Sequence, residues 1–119
     1  MPRIPPPPRL RIDIDGASSG GVVLRLEGEL DAATAPELER RLTGLPTLGR
    51  VLVLDLHELS FLDSLGLNML FRAREWALTQ DVAMRLVRAP VHVQRLIAIA
   101  AMESSLGPFY ANADAALRA

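Results

Sequence analysis

The sequence contains no cysteine. Disulfide frameworks, thiol nucleophiles and thiolate metal sites are therefore excluded, and the absence fits an expected cytoplasmic location. There is no lysine either, so every basic side chain is an arginine. Aromatic residues make up only 4% of the chain, which leaves the core to Leu, Val, Ile and Ala. No apolar run approaches the roughly 20 residues needed to span a bilayer. The opening MPRIPPPPRL lacks the apolar stretch of a secretory signal. The net charge of −1 offers no field to gather nucleic acid or an anionic membrane. Motifs of catalysis are missing as well. There is no GxxxxGK[ST] phosphate loop, no GxGxxG after a strand and no GxSxG elbow. His57 and His92 have no ligand-like spacing to each other or to acidic partners. The expectation is a protein that is not an enzyme, with no catalytic residue, no metal and no cofactor.

What is present is an ordinary globular composition, 50% hydrophobic and 23% charged, in 119 residues, which suits one domain with one core. Residues 1–9 are proline-rich and read as an extended leader; residues 10–119 read as the domain. Leu10, Ile12 and Ile14 alternate with Arg11, Asp13 and Asp15, the period of a strand with one buried face. Gly16, Ser18, Ser19, Gly20 and Gly21 read as a turn into a second strand over 22–26, giving an antiparallel hairpin. A short strand continuation is expected over 28–30. Thr34 is placed as the N-cap of a helix, with Pro36 and Glu37 in its first turn. Ala35, Leu38, Leu42 and Leu45 form its buried stripe, and Gly44 and Pro46 end it.

The run VLVLDL over 51–56 predicts a central strand, interrupted near its end by Asp55. Asp63 or Ser64 then caps a helix to about Thr79. On a helical wheel Leu67, Leu70, Phe71 and Leu78 fall on one side, with Ala73 and Ala77 beside them. Leu65, Met69 and Trp76 fall on a separate stripe placed near the exposed side, and Asn68, Arg72, Glu75 and Thr79 form a polar strip. A strand over 83–87, a helix through Val93, Leu96, Ile97 and Ala100, a short strand at Phe109–Tyr110 and a last helix capped by Asn112 or Asp114 complete the order. Strands alternating with helices place the chain in the α/β class, with right-handed parallel crossovers.

Two segments carry the functional signal: GELD over 28–31 followed by TAPEL over 34–38, and LDLHELSFLDSLGL over 54–67. Read from the residues alone, Asp63 and Ser64 are helix caps, and Gly66 relieves crowding in the first turn. The two segments, at their separation, resemble the STAS domain, in particular the stand-alone type found in anti-sigma factor antagonists. The resemblance spans roughly residues 10–119. It implies a STAS-like mixed β-sheet with about four helices packed on it. It also implies that Ser64 is phosphorylated by an anti-sigma factor with serine kinase activity. That partner binds the unmodified form, and a phosphatase resets the switch. Leu65 replaces the second serine of the family's DSSGL turn, and Asn68 stands where a small residue is usual.

The expected partner surface comprises Asp31, Asp63, Leu65, Gly66, Asn68, Met69, Arg72 and Trp76. For Trp76 two readings stand together, an interface hot spot or packing at the domain edge. For Asp31 they are a second partner contact or a strand-end turn and cap residue. Two other functions remain in view. One is a STAS subunit of a signalling or lipid-transport assembly without a phospho-switch. The other is a nucleotide-binding module, which no phosphate loop supports.

Overall fold

In a computed structural model, residues 4, 9–17, 20–45 and 49–119 are described. The chain forms β1 (Leu10–Ala17), β2 (Gly21–Leu30), α1 (Ala35–Thr43), β3 (Val51–Leu62), α2 (Ser64–Thr79), β4 (Ala83–Val87), α3 (Val91–Ile99), α4 (Glu103–Leu106), β5 (Phe109–Tyr110) and α5 (Ala113–Arg118). The five strands make one sheet in the order β1-β2-β3-β4-β5. β1 and β2 are antiparallel. The pairs β2–β3, β3–β4 and β4–β5 are parallel. The expected mixed sheet is therefore present. Four helices of six residues or more accompany it, and α4 is a single turn that the sequence reading did not anticipate.

The sheet explains why VLVLDL is apolar on both phases of its alternation. Leu52, Leu54 and Leu56 join Leu24, Leu26, Leu38, Leu42, Leu67 and Leu70 in the main core. Val51 and Val53 point the other way, and with Val23 and Val87 they lie against Ala116 of α5. Each fully buried leucine of this set contributes about 1.5–3 kcal/mol relative to exposure. β1 has only one covered face, hence its Leu10/Ile12 alternation with charged residues. Ile14, expected on that buried face, is instead exposed.

β3 runs to Leu62, well past the strand expected over 51–56. The register against β2 shifts twice, between Arg25 and Glu27 and between Gly28 and Glu29. The two bulges break the period-two pattern, so that from Leu54 onward the residues in the main core are Leu54, Leu56, Leu59 and Leu62. β4 accompanies β3 only as far as Asp55. Gly16 and Gly21, assigned to the turn, belong to β1 and β2. Ser18, Ser19, Pro46 and residues 1–3 and 5–8 of the leader lie outside the described residues.

Helix ends follow local chemistry. Asn112 caps α5 by accepting the Ala115 N–H at 2.8 Å. α2 and α3 both end in paired back-bonds around a left-handed residue. Asp81 (φ 60°) is followed by Val82, whose N–H reaches the Ala77 carbonyl at 2.9 Å. Ala101 (φ 55°) is followed by Met102, bonded to the Ile97 carbonyl at 3.0 Å.

Two expectations for α2 are corrected. Leu78, placed on the buried side, is 50% exposed, because it lies in the last turn and opens onto a groove of about 230 Å³ beside Ala83 and Met84. Met69, placed near the exposed side, is only 4% exposed. α1 packs on that flank of α2 and covers it, which a helical wheel of α2 alone does not show.

Candidate functional site

β2, β3 and β4 are parallel, and each is followed by a helix. The N-termini of α1, α2 and α3 therefore all rise from the carboxyl end of the sheet, with their positive dipole ends on one edge. Ser64 is at that edge. Asp63 is the N-cap of α2, with extended backbone (φ −107°, ψ −174°), and its Oδ1 accepts the Gly66 N–H at 2.8 Å. Ser64 is the first helical residue, and it is exposed. The residue lies exposed on a turn whose geometry is set by its neighbours. The structure thus resolves the choice of cap in favour of Asp63.

Gly66 shows why the turn needs a glycine. A Cβ there would lie 2.1 Å from the Leu30 carbonyl oxygen and 2.7 Å from its carbon. The helix start rests directly on the main chain at the end of β2. The GELD segment and the SLGL segment, apart in sequence, meet at this contact. Gly28 is equally constrained, with φ 110° and a Cβ position 2.2 Å from the Arg9 carbonyl oxygen.

Asp31, the last residue of GELD, is 8% exposed and organises the passage from β2 to α1. Its Oδ1 accepts the N–H groups of Ala33 (3.0 Å) and Thr34 (3.1 Å). Its own N–H donates to Thr34 Oγ1 at 3.0 Å. The Thr34 hydroxyl reaches the Glu29 carbonyl at 2.8 Å and Asp31 Oδ1 at 3.2 Å. The Arg9 guanidinium closes the set, pairing with Asp31 Oδ2 and with Glu29 at 2.9 Å. Burial pushes the Asp31 carboxyl up. The Thr34 N–H, the Arg9 guanidinium, the Thr34 hydroxyl and the Ala33 N–H outweigh it and hold Asp31 below the usual aspartate range. The turn reading of Asp31 accounts for all these bonds.

The remaining expected residues fall into two groups. Leu65, Asn68 and Arg72 are exposed and line a groove of about 200 Å³ against Ala32, Pro36 and Glu39 of the α1 side. Arg72 Nη2 pairs with Glu39 Oε1 at 3.3 Å, across the two helices. Beyond that pair a second hollow of about 230 Å³ is lined by Leu42, Met69, Ala73 and Trp76. Trp76 is half-buried and packs against the core. Leu65, Met69 and Trp76, expected as one stripe near the exposed side, are exposed, buried and half-buried respectively. They divide into a presented rim and a supporting floor.

Phe61 escaped the sequence reading, and Asp55 was read only as an interruption of the central strand. Phe61, in the bulged end of β3, is 44% exposed only three residues before Ser64. Asp55 is buried on the far face of the sheet, where its Oδ1 accepts the His57 N–H at 3.0 Å and Arg88 Nη1 stands 3.9 Å from its Oδ2. Both histidines are exposed, and among the described residues no three metal-binding side chains come together.

The site is thus an exposed serine at the capped start of a helix in a mixed α/β domain, above a turn fixed by main-chain contact. The chain belongs to the STAS domain family, whose pattern matches residues 12–116. Its fold is similar to that of an anti-sigma factor antagonist from Mycobacterium paratuberculosis, with 28% identity, TM-score 0.77 and 92% of each chain covered. It is also similar to the Bacillus cell fate determinant SpoIIAA in its phosphorylated form (18% identity, TM-score 0.67, 87% and 93% covered). A third similar structure is a sulfate transporter family protein from Wolinella succinogenes (15% identity, TM-score 0.73, 86% and 84% covered). A comparison with curated sequences gives no match. Among the described residues no helix is long and apolar enough to cross a membrane.

Proposed function

We propose that the chain is an anti-sigma factor antagonist that docks on a kinase-type anti-sigma factor when Ser64 is unmodified and is released when Ser64 is phosphorylated. The observation that carries this reading is the exposed Ser64 at the capped start of α2. Phosphorylation adds about 1.5–2 negative charges at neutral pH. The dipole and first-turn N–H groups of α2 tolerate an anion there, so the fold survives the change. A partner seated on the turn has to desolvate the new charge, which weakens binding. A phosphorylated form of a protein with this fold is known, in keeping with that tolerance.

The test starts from native extract, from which the tagged chain recovers an ATP-binding serine kinase. Incubation of the purified pair with ATP adds the mass of one phosphate, and peptide mapping places it on Ser64. Ser64→Ala abolishes the gain and keeps binding, whereas Ser64→Asp weakens binding. Phosphate on another residue, or equal binding by all three forms, overturns the reading.

The likeness to a sulfate transporter family protein favours one other role, that of a constitutive subunit. In that case Ser64→Ala and Ser64→Asp bind the same partner equally.

A further inference from the structure

We propose that Phe61 and Leu65 form an apolar pair bracketing Ser64, and that this pair is the anchor by which a folded protein partner reads the phosphorylation state. The inference rests on the antagonist reading above and names the surface it uses. Phe61 is 44% exposed and Leu65 55% exposed, although Leu62 between them is buried. The Asp63 carboxylate is committed to the Gly66 N–H. Asp63 is also the only charged residue from Leu59 to Phe71. This stretch thus presents exposed apolar side chains and no charge of its own beyond the capping Asp63, while the charges nearest in space, Arg72 in the groove beside Leu65 and Glu29 opposite Phe61, are paired with Glu39 and Arg9. Such depletion of charge with an aromatic present marks the centre of a protein interface rather than its rim. It also fits poorly with an anionic ligand, since no arginine is supplied by this stretch.

Size makes the contact unavoidable. Residues 61–65 span at most about 14 Å of extended chain. A standard interface covers about 800 Å² per partner, a patch of roughly 16 Å radius. Any partner of that size centred on Ser64 covers both side chains. Burial of the pair and hydration of a phosphate between them then exclude each other. Apolar closure strips water from the site, and Arg72, the arginine in the groove beside Leu65, is already paired with Glu39, so a dianion there does not regain its hydration. The pair converts a chemical mark into a loss of affinity.

The test uses the full chain and the purified kinase that modifies Ser64. Phe61→Thr keeps strand preference and Leu65→Gln keeps helix preference, so both variants are expected to fold. Thermal melts followed by far-UV circular dichroism verify that they do. Leu78→Gln is the control, at an equally exposed leucine about 21 Å along α2 from Ser64. Phe61→Thr and Leu65→Gln each weaken binding by at least about tenfold, and Leu78→Gln leaves it within about twofold. Ser64→Asp costs more than about tenfold in the wild-type background and less than about threefold in the Phe61→Thr/Leu65→Gln background. Wild-type phosphorylation with unchanged affinity in both variants overturns this proposal and leaves the antagonist reading intact. An equal Ser64→Asp penalty in the two backgrounds overturns it as well. Absence of any phosphorylation of the wild-type chain overturns both.

Discussion

Replacing Gly66 by alanine separates two opposing effects whose sizes differ enough to be measured. Alanine is the better helix former, by about 1 kcal/mol. Against that, the added Cβ would sit 2.1 Å from the Leu30 oxygen, 2.7 Å from the Leu30 carbon and 2.8 Å from Leu62 Cδ1. Favourable carbon contacts begin at about 3.5 Å, so the start of α2 has to retreat by more than about 1 Å. Leu30 is main chain in a paired strand and cannot swing aside. The Asp63–Gly66 capping bond has to stretch or break with the movement. Overpacking of this kind costs about 1–3 kcal/mol or more, and loss of the cap adds about 1 kcal/mol. The net expectation is a loss of about 1–3 kcal/mol. For a chain of this length that lowers Tm by about 3–15 °C. Urea titration read by Trp76 fluorescence and thermal melts read by circular dichroism measure it, with an unchanged m-value expected. Gly16→Ala is the internal control, because nothing lies within 4 Å of a Cβ there. A Gly66→Ala protein as stable as wild type refutes the close-contact argument and leaves only helix propensity.

Ala101→Gly is expected to stabilise the domain by about 0.5–1.5 kcal/mol, because glycine adopts the left-handed φ of 55° without the Cβ penalty; a raised urea midpoint checks it. The lowered Asp31 ionisation stabilises the folded state above the ordinary aspartate value, and that contribution is lost as pH falls through the depressed one. Asp31→Asn is therefore expected to be less stable than wild type at pH 7, with the difference shrinking below about pH 4 in urea titrations across pH. Asp63→Ala removes the α2 cap at a cost of about 1 kcal/mol, and Asp63→Asn retains most of it; paired thermal melts decide between those outcomes.

Much of this architecture was legible because single residues state it locally. Leu10 and Ile12 alternate with charges, and VLVLDL carries two buried phases at once. The caps Asp63 and Asn112 precede their helices as expected. What stayed hidden needs a second element to interpret. The extension of β3 through HELSFL is masked by two bulges against β2, which replace a period of two with a spacing nearer three. The depth of Met69 depends on α1 lying against α2. The position of Ile14 shows the converse, an alternating strand that outruns its cover. At the site, Ser64, Asp63 and the groove-lining Leu65, Asn68 and Arg72 were named from the sequence. Phe61 was not, because its exposure follows from the bulged strand end. The contact between Leu30 and Gly66 is made by backbone, so no side-chain pattern announces it.

The stretch of β3 from Leu56 to Leu62 has β2 along one border and, among the described residues, no strand along the other. An open border of that length is an invitation for two molecules to zip together when the protein is concentrated. The paired kinks deny the straight template that such stacking needs. The irregularity that lifts Phe61 into solvent therefore also protects against fibrous self-association. Attempts to regularise this strand by design would be expected to trade the exposure of Phe61 for a tendency to aggregate.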